Sequence, residues 1–384
     1  MTELPATDAA GPAPRSWPLQ VRRARPADRA AVLDFASTTF DGWDYIPRAW
    51  DAWIDAPDGV LLVAAPGGAP DGSPRDAAGV GLEVGRAIAV ARVALLSPSE
   101  AWLEGIRVDP RVRGLGVASD LQVAELRWAS ASAARIVRYA TGQRNEASHR
   151  LGRRHGFELC HAFRNWHSHA GPAPFDDDND DEGDVASGFD APARAAATSA
   201  RQRLLATLDG DGLIAAPAMG DELWRRLQTD PTLSAAGGLC EQRGWTLQRL
   251  TRPLLDRHLE RGELVVDDAA GWALVLVHRE APAAEDVDLH LGLVAGDGRA
   301  VLRLVDRLHR LAGARVRFWL PDPDPPLLRG LEDEFAAARF HGRPWTLHIL
   351  CRPLDDPRLP LPDPQRPEGL VLEDEPVALR PLVG

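Results

Sequence analysis

A chain of 384 residues exceeds what one core ordinarily organises and points to two domains of roughly 150–200 residues each. Apolar residues make up 45% and charged residues 26%, a globular balance that excludes a disordered or fibrous protein. All 44 basic residues are arginine, so Walker-A, Schiff-base and protein-kinase lysine chemistries are excluded, and a net charge of -12 argues against nucleic-acid or anionic-membrane partners.

In chain order, residues 1–18 read as a loose Pro/Ala-rich tail without the basic and apolar regions of a signal peptide. No run approaches the ~18 apolar residues a spanning helix needs. Pro26 to Phe40 carries an N-cap-like Asp28 and apolar residues at helical spacing, namely Ala31, Val32, Phe35, Ala36 and Phe40. Pro47–Ile54 reads as a second short helix and Gly59–Ala65 as a buried strand. Strands are then expected at Gly79–Val84, Ile88–Leu95 and Trp102–Val108. A helix follows Gly116, with Val117, Leu121, Ala124 and Trp128 on one stripe. Ile136–Ala140 reads as a strand, Glu146–His155 as a helix and Phe157–His167 as strand.

The composition turns acidic and poor in large apolar residues over 171–200, which reads as a disordered linker. Asp178 opens no calcium loop, because Glu182 and Phe189 occupy its fifth and twelfth positions. Beyond it, a helix is expected after Trp245. Gly262–Val266, Trp272–His278 and Val287–Val294 then read as strands, Val301–Leu311 as a helix, and strand, turn and short helix follow from Val316. This order repeats that of the first half and predicts a tandem duplication. The domains are therefore set at 19–170 and 201–355, and 356–384 reads as a proline-rich tail. Cys160, Cys240 and Cys351 are odd in number and far apart, which predicts free thiols in a reducing cytoplasm. His161, His167 and His169 are scattered by strand alternation, and no metal site is read from the sequence.

Chemistry concentrates in 102–119, WLEGIRVDPRVRGLGVAS. A strand runs through Asp109-Pro110 into a basic glycine-rich turn and then into a helix. Gly114 and Gly116 let the backbone approach an anion, and the amides of Leu115 to Ser119 sit at a helix N-terminus that favours phosphate. From Arg107 to His155 ten arginines face four acids, a basic island in an acidic chain. A glycine bend between strand and helix remains the plainer alternative.

This segment resembles the acyl-CoA signature of the GNAT superfamily of N-acyltransferases: Val108, Pro110, Arg113, Gly114, Gly116, Val117 and Ala118 all fit it. A second signature follows in Asn145, Ser148, Leu151, Gly156 and Phe157. The resemblance implies an α/β fold of two tandem GNAT domains, each a mixed, mostly antiparallel twisted sheet flanked by helices. It implies acetyl-CoA as acyl donor, held by the Leu115–Ser119 amides, by backbone groups of Ile106 and Val108 flanking Arg107, and by Asn145 and Ser148. The acceptor would be a small-molecule or peptide amine, taken by a monomer or homodimer that engages no nucleic acid or membrane.

Strict strand alternation puts Glu104, Ile106 and Val108 on one face, and Glu104 stands where family members often carry an acid acting as base. An arginine-paired strand carboxylate is the alternative. The Phe40–Tyr45 segment offers Asp41 and Asp44 to a cationic amine and Trp43 and Tyr45 as aromatic walls, or serves only as loop anchoring. One departure matters: the family's tyrosine proton donor falls here on Gly152. His149, His155 or water would have to replace it, and His155 also suits a helix C-cap. A non-catalytic acyl-CoA-binding regulatory or scaffold protein is therefore the second expectation. In the C-terminal half Ala295–Ala300 is short and carries an acid, so this half is expected not to bind CoA.

Overall fold

The computed structural model describes residues 17–37, 44–67, 81–168, 191–279, 288–361 and 370–372. The chain begins with β1 (Leu19–Arg23), α1 (Arg29–Ala36), α2 (Ile46–Trp53), β2 (Gly59–Pro66), β3 (Ala89–Ser97), β4 (Glu100–Val108) and α3 (Val117–Ala131). Next come β5 (Ile136–Gly142), α4 (Glu146–Arg154), β6 (Glu158–Ser168), α5 (Ala191–Gly210), α6 (Gly220–Gln228) and α7 (Pro231–Ala235). The hairpin β7 (Leu239–Arg243) and β8 (Thr246–Arg249) precedes α8 (Arg252–Glu260), β9 (Leu264–Asp267), β10 (Ala273–Val277) and β11 (Leu289–Gly296). The chain closes with α9 (Gly298–Ala312), β12 (Val316–Pro321), α10 (Glu332–Ala337), β13 (Phe340–Pro353) and β14 (Leu370–Leu372).

Two units divide these elements. The first comprises Met1–Val137, Arg153–Gly156 and Arg352–Gly384, and the second Arg138–Gly152 and Phe157–Cys351. In the first unit the strand order is β14-β1-β2-β3-β4, antiparallel except where β14 joins β1 in parallel. Leu61, Val63 and Val90 of this sheet pack with Val32 and Phe35 of α1 and Trp50 and Trp53 of α2. Arg22 on β1 forms a bidentate pair with Asp28 at 2.7 and 2.8 Å, and Asp28 also accepts from the Arg25 amide, which fixes the entry into α1.

In the second unit β13-β6-β12-β11-β10-β9 form a mixed sheet whose single parallel step is β11–β12. Strand alternation sorts β10 cleanly. Ala273, Val275 and Val277 pack with Leu204, Leu208, Val301 and Leu304 of α5 and α9, whereas Leu274 and Leu276 pack with Leu223, Leu254 and Leu255 of α6 and α8. From β9 to β13 the element order is strand, strand, strand, helix, strand, helix, strand, as it is from β2 to β6.

Five expectations change. Gly81–Val84 forms no strand, since Gly81 and Gly85 adopt φ of +65° and +80° and turn the chain into β3; Gly79 lies outside the described residues. Residues 191–200 belong to α5 and not to a linker, because a run rich in alanine has high helix propensity despite low hydrophobicity; the acidic block at 176–184 lies outside the described residues. After Trp245 the chain continues as β8, and the helix starts at Arg252 behind the Thr251 N-cap. The tail is not featureless: Leu370–Leu372 pairs with Leu19–Val21. Finally, Cys160 and Cys351 are joined in a disulfide with Cα atoms 6.0 Å apart, because β6 and β13 are antiparallel neighbours; only Cys240 is free and buried.

Candidate functional site

Strand β4 does not keep a two-residue period. Glu104 lies opposite Arg92 on β3 and Arg107 lies opposite Val90, so β4 spends three steps where β3 spends two. The extra residue is a β-bulge at Gly105, whose φ of +73° suits glycine, and an added Cβ would meet the Trp53 ring at 2.8 Å. The bulge corrects the strict alternation: Glu104 and Arg107 share a face, and Gly105 and Ile106 have no register partner on β3.

That face is a charged and aromatic cluster. Arg92, 1% exposed, pairs with Glu104 and, at 2.8 Å, with Asp58, and its guanidinium lies 5.4 Å from the Trp53 ring centre. Arg107 pairs with Asp44 at 2.5 Å and lies 5.3 Å from the centre of the Tyr45 ring. Asp44 also accepts from the Ile46 amide at 2.9 Å and so starts α2. Its charge is met inside the protein, which leaves it an anchor of the loop. Burial pushes the Tyr45 phenol up to about 12, with the Arg107 charge opposing and Glu104 and Asp44 assisting, so it keeps its proton at any physiological pH. Asp41 and Trp43 lie outside the described residues.

The turn after β4 is shaped by one carboxylate and two glycines. Asp109 accepts from the Arg111 amide at 2.9 Å and holds the Arg111 guanidinium, which shapes a short 3-10 turn over Pro110–Val112. Gly114 and Gly116 take φ of +80° and +78°, and a Cβ at Gly114 would meet nothing within 4 Å. Gly116 is the N-cap of α3 and brings no side chain to the first amides, Val117 through Ser119. An open helix N-terminus with a glycine cap fits a phosphate. Arg113 folds its Nε back toward the Val108 carbonyl at 3.4 Å.

The Ser119 hydroxyl is 2.8 Å from His155 Nε2. Burial holds the His155 imidazole down to about 4, with help from Arg154 and Arg352, so at neutral pH the ring is uncharged. Its carbonyl, just past the end of α4, accepts from Arg352. His155 therefore ties down the first turn of α3 and has no imidazolium proton to give. In the second unit, Asn145 Oδ1 accepts from the Ser148 amide at 3.1 Å and caps α4. The Tyr139 hydroxyl donates to the Ser148 carbonyl at 3.0 Å, and a Cβ at Gly152 would collide with that hydroxyl. The glycine at the expected tyrosine position thus has a steric cause: a phenol from β5 already fills the space.

Residues 39–157 match the family model described as the acetyltransferase (GNAT) family. No curated protein matches the chain in sequence. Similar solved structures include a GCN5-related N-acetyltransferase from Sphaerobacter thermophilus, with 15% identity, 87% of this chain and 95% of that chain covered and a TM-score of 0.46. A GCN5-related N-acetyltransferase from Kribbella flavida has 15% identity, coverage of 88% and 71%, and a TM-score of 0.42. The ribosomal-protein-S18-alanine N-acetyltransferase from Escherichia coli has 15% identity, coverage of 38% and 80%, and a TM-score of 0.29. The segment 39–157 of this chain is a GNAT-family domain.

Proposed function

We propose that this GNAT domain transfers an acetyl group from acetyl-CoA directly to a primary amine of a small molecule or peptide. The observation that carries the reading is the N-terminus of α3 capped by a glycine, with two left-handed glycines in the turn before it, inside the segment that matches the family. The amides of Leu115 to Ser119 would hold the pyrophosphate, and Ile106 and Val108 would offer backbone groups to the pantetheine arm. Asn145 and Ser148 are proposed as further CoA contacts; their cap on α4 is compatible with that.

The reaction forms a C–N bond at the acyl carbon and breaks its C–S bond. The attacking ammonium must lose a proton, and the departing thiolate must gain one. Glu104 is the proposed base, directly or through water. Arg92 fixes its carboxylate against the sheet, and Asp58 shares the Arg92 guanidinium. With His155 uncharged and Gly152 lacking a side chain, water is the proposed source of the thiolate proton. Positioning of amine and thioester supplies much of the acceleration. We also propose that the C-terminal half is a duplicated GNAT-like fold without its own CoA site.

The decisive experiment is a thiol-release assay over a panel of amines with wild type and Glu104→Gln, run beside acetyl-CoA binding. Turnover that falls by about 100-fold or more in Glu104→Gln, with affinity kept, supports the base assignment. Binding without turnover on every amine would favour the second reading, an acyl-CoA-binding regulatory or scaffold protein. The Arg92–Glu104 pair is the observation behind that alternative.

A further inference from the structure

The second unit holds a cluster that acyl transfer does not use. His258 lies in the last turn of α8, Glu263 immediately precedes β9, and His278 immediately follows β10. One donor atom from each of the three lies within 4.8 Å of the other two, and among the described residues no other trio of His, Cys, Asp or Glu converges in this way. His258 and Glu263 are 4% and 3% exposed.

The backbone holds the three in place. The Glu263 amide donates to the His258 carbonyl at 3.0 Å, and the Glu263 carbonyl accepts from Val277 at 2.8 Å. Glu263 Oε1 accepts from the Arg279 amide at 3.0 Å. His278 Nε2 stands 2.9 Å from the Glu241 carbonyl. A carbonyl can only accept, so this nitrogen carries the proton and Nδ1 keeps its lone pair. Metal-bound histidines are commonly oriented in this way, with the far N–H given to a carbonyl or carboxylate. His258 Nδ1 is 2.8 Å from Glu263 Oε2, while its buried Nε2 has no hydrogen-bond partner. Buried polar atoms are rarely left unpaired, and a nitrogen lone pair without a donor is a metal ligand in waiting.

We propose that His258, Glu263 and His278 form a divalent transition-metal site, with zinc the first candidate. Two imidazoles and one carboxylate suit tetrahedral zinc and leave a fourth position for water or another ligand. Zinc bonds of about 2.0–2.2 Å set donors about 3.3–3.5 Å apart, so side-chain shifts of about 1 Å close the cluster. Such an ion would tie the end of α8 to β9 and β10.

The test uses the full chain, expressed without a histidine tag and analysed for metal by mass spectrometry. It is then stripped with a chelator and titrated with Co(II), whose visible bands report tetrahedral nitrogen and oxygen ligands. The expected result is about one equivalent of zinc per chain and a saturable cobalt spectrum. His278→Ala and Glu263→Gln should each weaken metal binding by about 100-fold or more, while His341→Ala retains it. His278 sits past a strand end, so its variant is expected to fold; circular dichroism establishes this, and His258→Gln serves as a further variant. Wild-type protein that takes up neither zinc nor cobalt overturns the proposal, as does a folded His278→Ala that binds both as well as wild type. Because the readout is metal content, its failure leaves the acyl-transfer reading untouched.

Discussion

Strands β4 and β11 each run into a helix through glycines, yet the two helix N-termini meet opposite surroundings. Beyond β4, a side chain at Gly114 would enter open space, and the cap of α3 is a glycine without a side chain. Beyond β11, the Gly296 amide already donates to Asp230 at 2.9 Å, and Asp297 takes the Trp272 amide at 2.8 Å. A Cβ at Gly298 would collide with the Leu327 carbonyl and the Leu331 side chain. The same motif of strand, glycine turn and helix is therefore open at its first glycine in one place and a packed, self-satisfied corner in the other. Glycine serves approach of a ligand in the first and approach of the chain's own backbone in the second.

The largest effect separates the units by stability. All three cysteines lie in the second unit, and the Cys160–Cys351 bridge closes a loop across 191 residues. Cys160→Ser should cost the oxidised protein about 5 kcal/mol on the chain-entropy account, read as a urea midpoint shift that reductant reproduces in wild type. An unchanged midpoint would remove the staple from the comparison. Next, Gly116→Glu should weaken acetyl-CoA binding by about 100-fold or more by calorimetry, through backbone strain and charge repulsion. Gly298→Ala should leave that affinity alone; equal effects at both corners would erase the distinction drawn above.

Smaller effects refine it. Gly152→Ala should lose about 1–3 kcal/mol by overpacking against Tyr139, and Tyr139→Phe should recover much of it in a double-mutant cycle. Additive losses would show that the phenol does not dictate the glycine. Smallest is Glu125, 1% exposed in α3, whose carboxyl burial pushes well above the usual range. A raised folded-state value makes the protein most stable below the unfolded value of about 4.3, with stability lost as pH climbs above it. Glu125→Gln should therefore gain about 1 kcal/mol or more at pH 8 and little at pH 4, measured by paired chemical melts. A gain independent of pH would show that Glu125 is not the ionising group.

The phosphate turn and most elements were legible in the sequence because glycine, proline and apolar spacing are local signals. Gly114, Gly116 and the stripe through Val117, Leu121 and Ala124 carry their meaning within one or two turns of chain. The bulge at Gly105 is a local feature too, but an alternation pattern absorbs one extra residue silently; a glycine inside a strand was its only trace. The Arg92–Glu104 pair rests on the register of the β3–β4 hairpin and was visible only as a general alternative. Cys160 and Cys351 meet because β6 and β13 are neighbours, which nothing in their spacing encodes. His258, Glu263 and His278 converge at the ends of three elements, and only the five-residue step between the first two lies within reach of a sequence pattern.

The pairing of β14 with β1 bears on how the molecule is made. Residues 370–372 hydrogen-bond beside 19–21, so the first unit is assembled from segments whose translation is separated by most of the second unit. A ribosome that has delivered the whole glycine-rich turn after β4 has yet to deliver a strand of the same sheet. Until that strand arrives, β1 presents a bare edge, the kind of surface on which nascent chains stick to one another.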